Sequence, residues 1–426
     1  MKTVCIYDGI IIGNNKDLYK IKNQQEKAIL IGKVKSSVEE LNKLAKTAKI
    51  QVLGKLLHSR KKIDAAYYIG SGKLKELKNT VEHTSANLII FDHELTPAQH
   101  RNLEEDLETN VMDRTQLILN IFSQHAHTKE SKLQVEKAQL EYLLPRLTGK
   151  GEELSRLAGG IGTRGPGESK LETDRRSISK RIHNLEEKLK KVKKNREIQR
   201  KERNDPLVAL VGYTNAGKST LMNLLTGSNN EVANKLFATL DSTLRNMQLP
   251  NGREIILTDT VGFIDNLPHQ LVASFRATLE EIKKADLILH VVDSSNPQAE
   301  KHIKVTNNVL KDMEVDNIEK LIVFNKIGKC QKGDLKSLEL QYPDHLSISS
   351  LTGEGKDQLL GKIKSILEKS LVKVNLKLPY NKANWIEKIH NKGQVIEESY
   401  SKNNIYIKAK IPKKFEQILS KFKIEK

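Results

Sequence analysis

The segment Gly212-Tyr213-Thr214-Asn215-Ala216-Gly217-Lys218-Ser219 restricts the fold of this chain more than any other stretch. It fits the spacing G-x-x-x-x-G-K-[ST], follows the apolar run Leu207-Val208-Ala209-Leu210-Val211 and opens the helical pattern Thr220-Leu221-Met222-Asn223-Leu224-Leu225. A strand, a glycine-rich turn and a helix in that order form a phosphate cradle. The glycines let backbone N–H groups face an anion, and the helix N-terminus adds partial positive charge. In such a cradle Lys218 reaches the β- and γ-phosphates of a nucleoside triphosphate, and the Ser219 hydroxyl ligates Mg2+. The cradle needs a parallel sheet around it. Residues 205–370 are therefore read as one α/β domain, with strands at 207–211, 254–258, 287–292, 321–324 and 345–348 and helices between.

The remaining motifs of that domain fall at the C-terminal ends of its strands, the edge where open α/β sheets bind nucleotides. Glu254–Thr258 leads into Asp259-Thr260-Val261-Gly262. Asp259 is the candidate carboxylate behind Mg2+, and the Gly262 N–H the candidate γ-phosphate sensor, a place a side chain would obstruct. Phe237-Ala238-Thr239-Leu240-Asp241 offers Thr239 as a second sensor. Lys218, Thr239 and Gly262 form the candidate catalytic group, and Ser219, Thr239 and Asp259 the candidate metal ligands. Asn325-Lys326-Ile327-Gly328 and Ser349-Ser350-Leu351 complete the expected nucleotide site in the order of a small GTPase domain. Phe263 stands where related hydrolases keep a water-orienting glutamine. An apolar ring cannot orient water, so intrinsic hydrolysis should be slow, with a partner ordering the segments 232–245 and 262–275. Arg276 is assigned a surface or ion-pair role rather than that of an arginine finger.

Charge directs attention to the partner. The 426 residues carry a net +19, but residues 205–370 carry −2, whereas 169–203 and 371–426 carry +8 each. Either segment suits a phosphate backbone, although solvated Lys-rich faces give the same count. Residues 128–147 are read as a helix ended near Pro145, and a second helix opens near Ser169. Its apolar positions Leu171, Ile178, Ile182, Leu185, Leu189 and Val192 have coiled-coil spacing and face Leu133, Leu140 and Leu147 in an antiparallel hairpin over 127–204. Burying that seam forces the cations outward. The connection at 148–168, rich in glycine over 159–167, is either a flexible connector or a functional tip, and its length favours the second.

Residues 1–126 read as a small parallel α/β domain, with strands at 65–69, 87–91 and 110–112 and helices at 73–83, 96–107 and 114–122. Gly70-Ser71-Gly72-Lys73 is either a plain turn before a helix or a weak phosphate loop. Residues 371–426 read as a small α+β unit, with strands at 372–378, 394–399 and 404–411. Two lone cysteines, Cys5 and Cys330, indicate neither a disulfide framework nor a zinc site. No apolar run approaches the ~18 residues of a membrane span. A soluble cytoplasmic monomer is expected.

With these motifs assembled, the chain resembles the HflX-type GTPases, ribosome-associated members of the Obg–HflX group. The resemblance is carried by GYTNAGKST (212–220), FATLD (237–241) and DTVGF (259–263). It extends through YIGSGKLKEL (68–77), DRTQLIL (113–119), KLQVEKAQLEYLLPRL (132–147) and GGIGTRGPGESKLETDRR (159–176). It implies GTP hydrolysis with Mg2+ and binding to the large (50S) ribosomal subunit and its rRNA. It also implies splitting of stalled or idle ribosomes under stress, with the glycine-rich tip reaching rRNA near the peptidyl-transferase centre. The reading from another class is a nucleotide-gated RNA-binding or chaperone-like module with incidental turnover. One position departs from the family: its base-reading N-K-x-D appears here as Asn325-Lys326-Ile327-Gly328. Glycine has no acceptor for the guanine ring N–H and 2-amino group, so guanine preference is expected to relax.

Overall fold

The computed structural model describes residues 5–7, 10–12, 26–58, 63–147, 166–201, 205–228, 236–237, 240, 243–265, 281–401 and 403–424. They fall into two compact units, 1–126 with 132–186 and 127–131 with 187–426. The architecture is multidomain α/β, as the motif order requires.

The first unit opens with a short antiparallel ribbon of β1 (Cys5–Tyr7) and β2 (Ile10–Ile12). Then follow β3 (Lys27–Gly32), α1 (Lys35–Thr47), β4 (Gln51–Leu57), α2 (Ser71–Thr84), β5 (Leu88–Phe91), α3 (Pro97–Leu107), β6 (Asn110–Met112) and α4 (Arg114–His125). The sheet is parallel in the order β4-β3-β5-β6. Its central strands β3 and β5 are buried along nearly their whole length and read as apolar runs rather than alternation. Ile29, Ile31, Leu77, Ile89, Phe91 and Leu103 form its core. Thr96 caps α3 in a capping box with Gln99, and Pro97 supplies the first helical residue.

Two expectations for this unit change. β3, α1 and β4 were not anticipated, and Ala65–Ile69 is not a strand. The Asp64 carboxylate accepts the N–H groups of Ala66 and Tyr67 at 2.8 and 3.0 Å, and Tyr68 takes a positive φ of 65°. A turn built on an aspartate side chain outcompetes the β preference of the two tyrosines. Gly70 is the N-cap of α2, and Lys73 pairs with Glu76 at 2.7 Å.

The hairpin helices are α5 (Lys129–Leu143), continued by a 3-10 turn at Leu144–Leu147 around Pro145, and α6 (Pro166–Lys201). Leu140, Leu147, Ile178 and Leu185 are buried together, with Leu133, Leu144 and Ile182 against them. Arg181–Glu136 at 2.6 Å and Lys137–Glu186 at 3.3 Å tie the two helices. The tip expected at 148–168 is shortened. Residues 148–165 lie outside the described residues, whereas 166–168 belong to α6, because proline is well placed in a first helical turn.

In the second unit, β7 (Leu207–Val211), α7 (Lys218–Thr226), β8 (Thr243–Gln248), β9 (Glu254–Asp259), β10 (Leu287–Asp293), α8 (Ala299–Asp312), β11 (Lys320–Asn325), α9 (Lys332–Gln341), β12 (His345–Ser347) and α10 (Lys356–Lys369) follow in order. The sheet runs β12-β11-β10-β7-β9-β8, parallel except for β8 at the edge. β8 was not anticipated. Only Met247 of its six residues is buried, so it carries little apolar signal. Then come β13 (Leu371–Pro379), α11 (Asn384–Lys392), β14 (Gln394–Tyr400), β15 (Asn404–Pro412) and α12 (Lys413–Leu419). Here the sheet is antiparallel in the order β13-β15-β14. Among the described residues no helix is long and apolar enough to cross a membrane.

His290, on central strand β10, is 1% exposed. Burial, with Lys320 and Lys218 adding repulsion, pushes its imidazole down to about 3. The unfolded chain takes up this proton near 6.5, whereas the native state refuses it down to about 3. Stability should therefore fall as the pH drops through that window, by about 1.4 kcal/mol per pH unit from this residue. In urea unfolding between pH 6.5 and 4.5, His290→Leu should show a shallower acid loss than the parent. Equal slopes would refute the assignment.

Candidate functional site

The cradle residues lie at the C-terminal edge of the second unit's parallel sheet. β7 delivers the loop Gly212–Gly217, and α7 starts at Lys218. Two glycines there are demanded by close approach. At Gly212 (φ +150°) an added Cβ would stand 2.1 Å from the Val291 carbonyl oxygen, and at Gly217 (φ +95°) 2.2 Å from Asn325 Nδ2. Asn215 also takes a positive φ, 60°, and is exposed, while Ala216 is buried. Lys218 is 6% exposed, and its Nζ donates to the Gly212 and Tyr213 carbonyls at 3.1 and 3.0 Å. Burial pushes its ammonium down to about 8, against the opposing pull of Asp259.

The Ser219 hydroxyl donates to Asp259 Oδ2 at 2.7 Å, which brings together hard oxygen ligands from α7 and from the end of β9. Such a pair fits Mg2+. Thr220 follows in the helix, partly buried. Thr260 is fully buried and donates to the Leu210 carbonyl at 2.8 Å. Val261 is buried beside it. A Cβ on Gly262 would meet Thr214 Cα at 2.8 Å and Lys218 Nζ at 3.0 Å, so this segment lies against the cradle.

Sequence reasoning assigned Phe263 only a catalytic absence. In the structure it is 2% exposed and stitches two loops: its carbonyl accepts the Thr214 N–H at 2.7 Å, and its N–H reaches the Gly212 carbonyl at 3.1 Å. Tyr213 extends the seam. Its hydroxyl accepts the Asp265 N–H at 2.9 Å, and its ring stacks on His302 of α8 with centroids 3.7 Å apart. No local sequence signal points to His302 or Asp265, because they meet Tyr213 from 89 and 52 positions away.

The Asn325 amide is spent inside the protein. Nδ2 donates to the Ala216 carbonyl and Oδ1 accepts the Ser350 N–H, both at 2.9 Å. Lys326 (φ +67°) donates to the Asn215 carbonyl and to Asp293 Oδ2, both at 2.7 Å. Asp293, at the end of β10, is a partner that sequence reasoning missed. Ile327 and Gly328 enter a short 3-10 turn, with Gly328 exposed and open space where a Cβ would stand. Ser349 and Ser350 are buried, and Leu351 is 80% exposed. The cradle, the 259–262 segment, Asn325–Gly328 and Ser349–Leu351 thus converge. Phe237 and Leu240 are buried apolar residues, each 2% exposed. Ala238, Thr239 and Asp241, and with them the expected second sensor, lie outside the described residues, as does Arg276.

Comparison with known proteins accords with this geometry. Residues 35–123 match a family described as GTP-binding GTPase N-terminal, 125–203 its GTP-binding GTPase Middle Region, and 207–326 a 50S ribosome-binding GTPase. GTPase HflX of Caldanaerobacter subterraneus subsp. tengcongensis is 46% identical over 411 residues, covering 95% of each chain. GTPase HflX of Escherichia coli is 43% identical, covering 80% of this chain and 82% of its own. Among solved structures, a GTP-binding protein from Sulfolobus solfataricus in complex with GDP is similar over 80% of this chain and 98% of its own, at 27% identity and a TM-score of 0.44. Sharing nearly half its residues with a relative along almost the whole length, the chain belongs to the HflX family and is a GTPase.

Proposed function

We propose that this GTPase binds the large (50S) ribosomal subunit through its rRNA in the GTP-bound state, and that hydrolysis releases it. On this reading it splits or rescues stalled and idle ribosomes under stress, acting as a cytoplasmic monomer. The observation that carries the proposal is the outer surface of α6. With Ile178 and Leu185 buried in the seam, Arg175, Arg176, Lys180, Lys188, Lys190, Lys191, Lys193 and Lys194 remain exposed. Arg176–Glu172 and Lys190–Glu187 pairs lie along that row, and the stretch 169–203 keeps a net +8. A long, positively charged helix suits an RNA backbone, whose binding is driven by counterion release. The description of the family matched at 207–326, a 50S ribosome-binding GTPase, supports the same partner.

The four-part division 1–126, 127–204, 205–370 and 371–426 gives each element a task. Lys218 and the loop N–H groups hold the phosphates. Asn325 holds the base-side loops together, and Lys326 lies along them. Ser219 and Asp259, with Thr239, would hold Mg2+, which when bound neutralises phosphate charge. The Gly262 N–H reports the γ-phosphate. Phe263 orients no water, so turnover depends on a partner that orders the switch segments.

Sucrose-gradient sedimentation with 50S and 70S particles tests the proposal. Co-migration with 50S should be strong with a non-hydrolysable GTP analogue and weak with GDP, and GTP should convert 70S particles to subunits. Hydrolysis should accelerate on 50S addition. Equal sedimentation whatever the nucleotide, with no acceleration, would overturn the proposal in favour of an RNA-binding module with incidental turnover.

A further inference from the structure

Among the described residues, the helices of the C-terminal sheet pack on one of its faces. Val374, Leu376 and Leu378 of β13 and Ile405, Ile407, Ala409 and Ile411 of β15 are buried in a core with Ile389 of α11 and Phe415 and Leu419 of α12. The intervening residues point to the opposite face. The register sets Lys373 beside Lys410, Asn375 beside Lys408 and Lys377 beside Tyr406. On the other side of β15, Lys410 stands beside Gln394, Lys408 beside Glu397 and Tyr406 beside Ser399. Directly opposed residues of antiparallel strands share a face. Among these paired residues, the open face therefore carries four lysines against one carboxylate, with a tyrosine on the middle strand.

Its details point to a chemistry. Tyr406 is 36% exposed, and Lys377 Nζ stands 5.9 Å over its ring. Lys373, Lys377 and Lys408 are exposed, and so is Asn375, in the row between the two β13 lysines. Glu397 engages Lys408 at 3.1 Å, which leaves the other lysines unneutralised by it. Lysine serves phosphates as a point charge, whereas planar carboxylates favour the arginine fork, which this face lacks. A solvent-facing aromatic ring on a basic sheet is a stacking platform, which an unpaired base can use and a base pair within a duplex cannot.

We propose that this face binds single-stranded RNA. A base stacks on Tyr406, the backbone phosphates lie along Lys373, Lys377, Lys408 and Lys410, and the Asn375 amide meets a base edge or a ribose hydroxyl. Its residues are different ones from those of the nucleotide cradle and from the cations of α6.

The test uses the full-length protein, a fluorescein-labelled 12-nucleotide oligouridine and a 12-base-pair RNA duplex, followed by anisotropy over a salt series. Oligouridine is the probe because stacking tolerates any base. Tyr406→Ala should weaken oligouridine binding about 5- to 150-fold and leave duplex binding unchanged, while Tyr406→Phe keeps the parental affinity. Lys373→Gln with Lys377→Gln should reduce the slope of log affinity against log salt by about 1.4. Photocrosslinked 5-bromouridine oligomer should map to residues 404–412. GTP hydrolysis by Tyr406→Ala should be unchanged, which reports an intact fold. Crosslinks confined to α6, or oligouridine affinity within about twofold of the parent in Tyr406→Ala, would overturn the proposal. Displacement of the RNA by polyglutamate at equal charge concentration would overturn it too, and would assign the face to acidic protein. The assay contains neither ribosomes nor nucleotide, so its result is independent of the large-subunit proposal.

Discussion

Installing a carboxylate at position 328 should turn a lax purine site into one that demands guanine. In the parent protein, GTP and ITP should displace a fluorescent GTP analogue almost equally. In Gly328→Asp, GTP should displace it about 10- to 100-fold better than ITP, the worth of one hydrogen bond from the 2-amino group to a charged acceptor. The neighbouring side chains of the Asn325–Gly328 segment are engaged within the protein. Both ends of the Asn325 amide are committed to Ala216 and Ser350, and Lys326 Nζ to Asn215 and Asp293. Asp334 lies beyond the turn, in the first turn of α9. Position 328 itself is exposed, with nothing within 4 Å of an added Cβ, so aspartate enters without displacing a neighbour. Sites built to pair a polar group reject analogues lacking it by orders of magnitude, and the converse loss is expected here. A parent protein that already separates GTP from ITP tenfold would show that another group reads the base.

What was legible in the sequence follows from where the signals are local. The strand before the cradle, the start of α7 and the Asp259–Gly262 segment each carry their reason within a few residues, because glycine, charge and apolar run are adjacent there. The hairpin seam was legible because Ile178 and Leu185 repeat at the period of a buried helical stripe. β8 was hidden because an edge strand buries little, and β3 and β4 because no motif marks them. Ala65–Ile69 misled because composition favours a strand while one side chain, Asp64, closes a turn. At the site, Asp293 and His302 could not be foreseen. Their partners, Lys326 and Tyr213, are 33 and 89 residues away, and only the folded sheet brings them together. At Phe263 the side chain signals only a water it cannot orient, whereas its backbone pins the cradle.

Lys218→Ala should abolish nucleotide binding, lowering affinity for a fluorescent GTP analogue by at least about 100-fold and removing nucleotide-dependent sedimentation with it. The ammonium is almost wholly buried, held by two loop carbonyls and pushed down to about 8 by loss of water. A charge kept that far from solvent costs the fold stability even with two carbonyl partners, and a polyphosphate would offset that cost. Function and stability should therefore move in opposite directions. Below pH 8 the residue is charged in both native and unfolded chains, and the whole penalty is present. As pH rises from about 8 to 10.5 the native state sheds the proton first, and the penalty disappears. Without nucleotide the parent should therefore gain up to about 3 kcal/mol over that window, from this group alone. Lys218→Met, which keeps the stem and removes the charge, should lack that gain and unfold at a higher temperature at pH 7. Thermal unfolding across pH 7–10.5, alongside the binding titration, separates a residue placed for a ligand from one placed for the fold. A Lys218→Ala protein with unchanged turnover, or a Lys218→Met protein less stable than the parent at pH 7, would show that the lysine serves the fold and that the cradle does not depend on it.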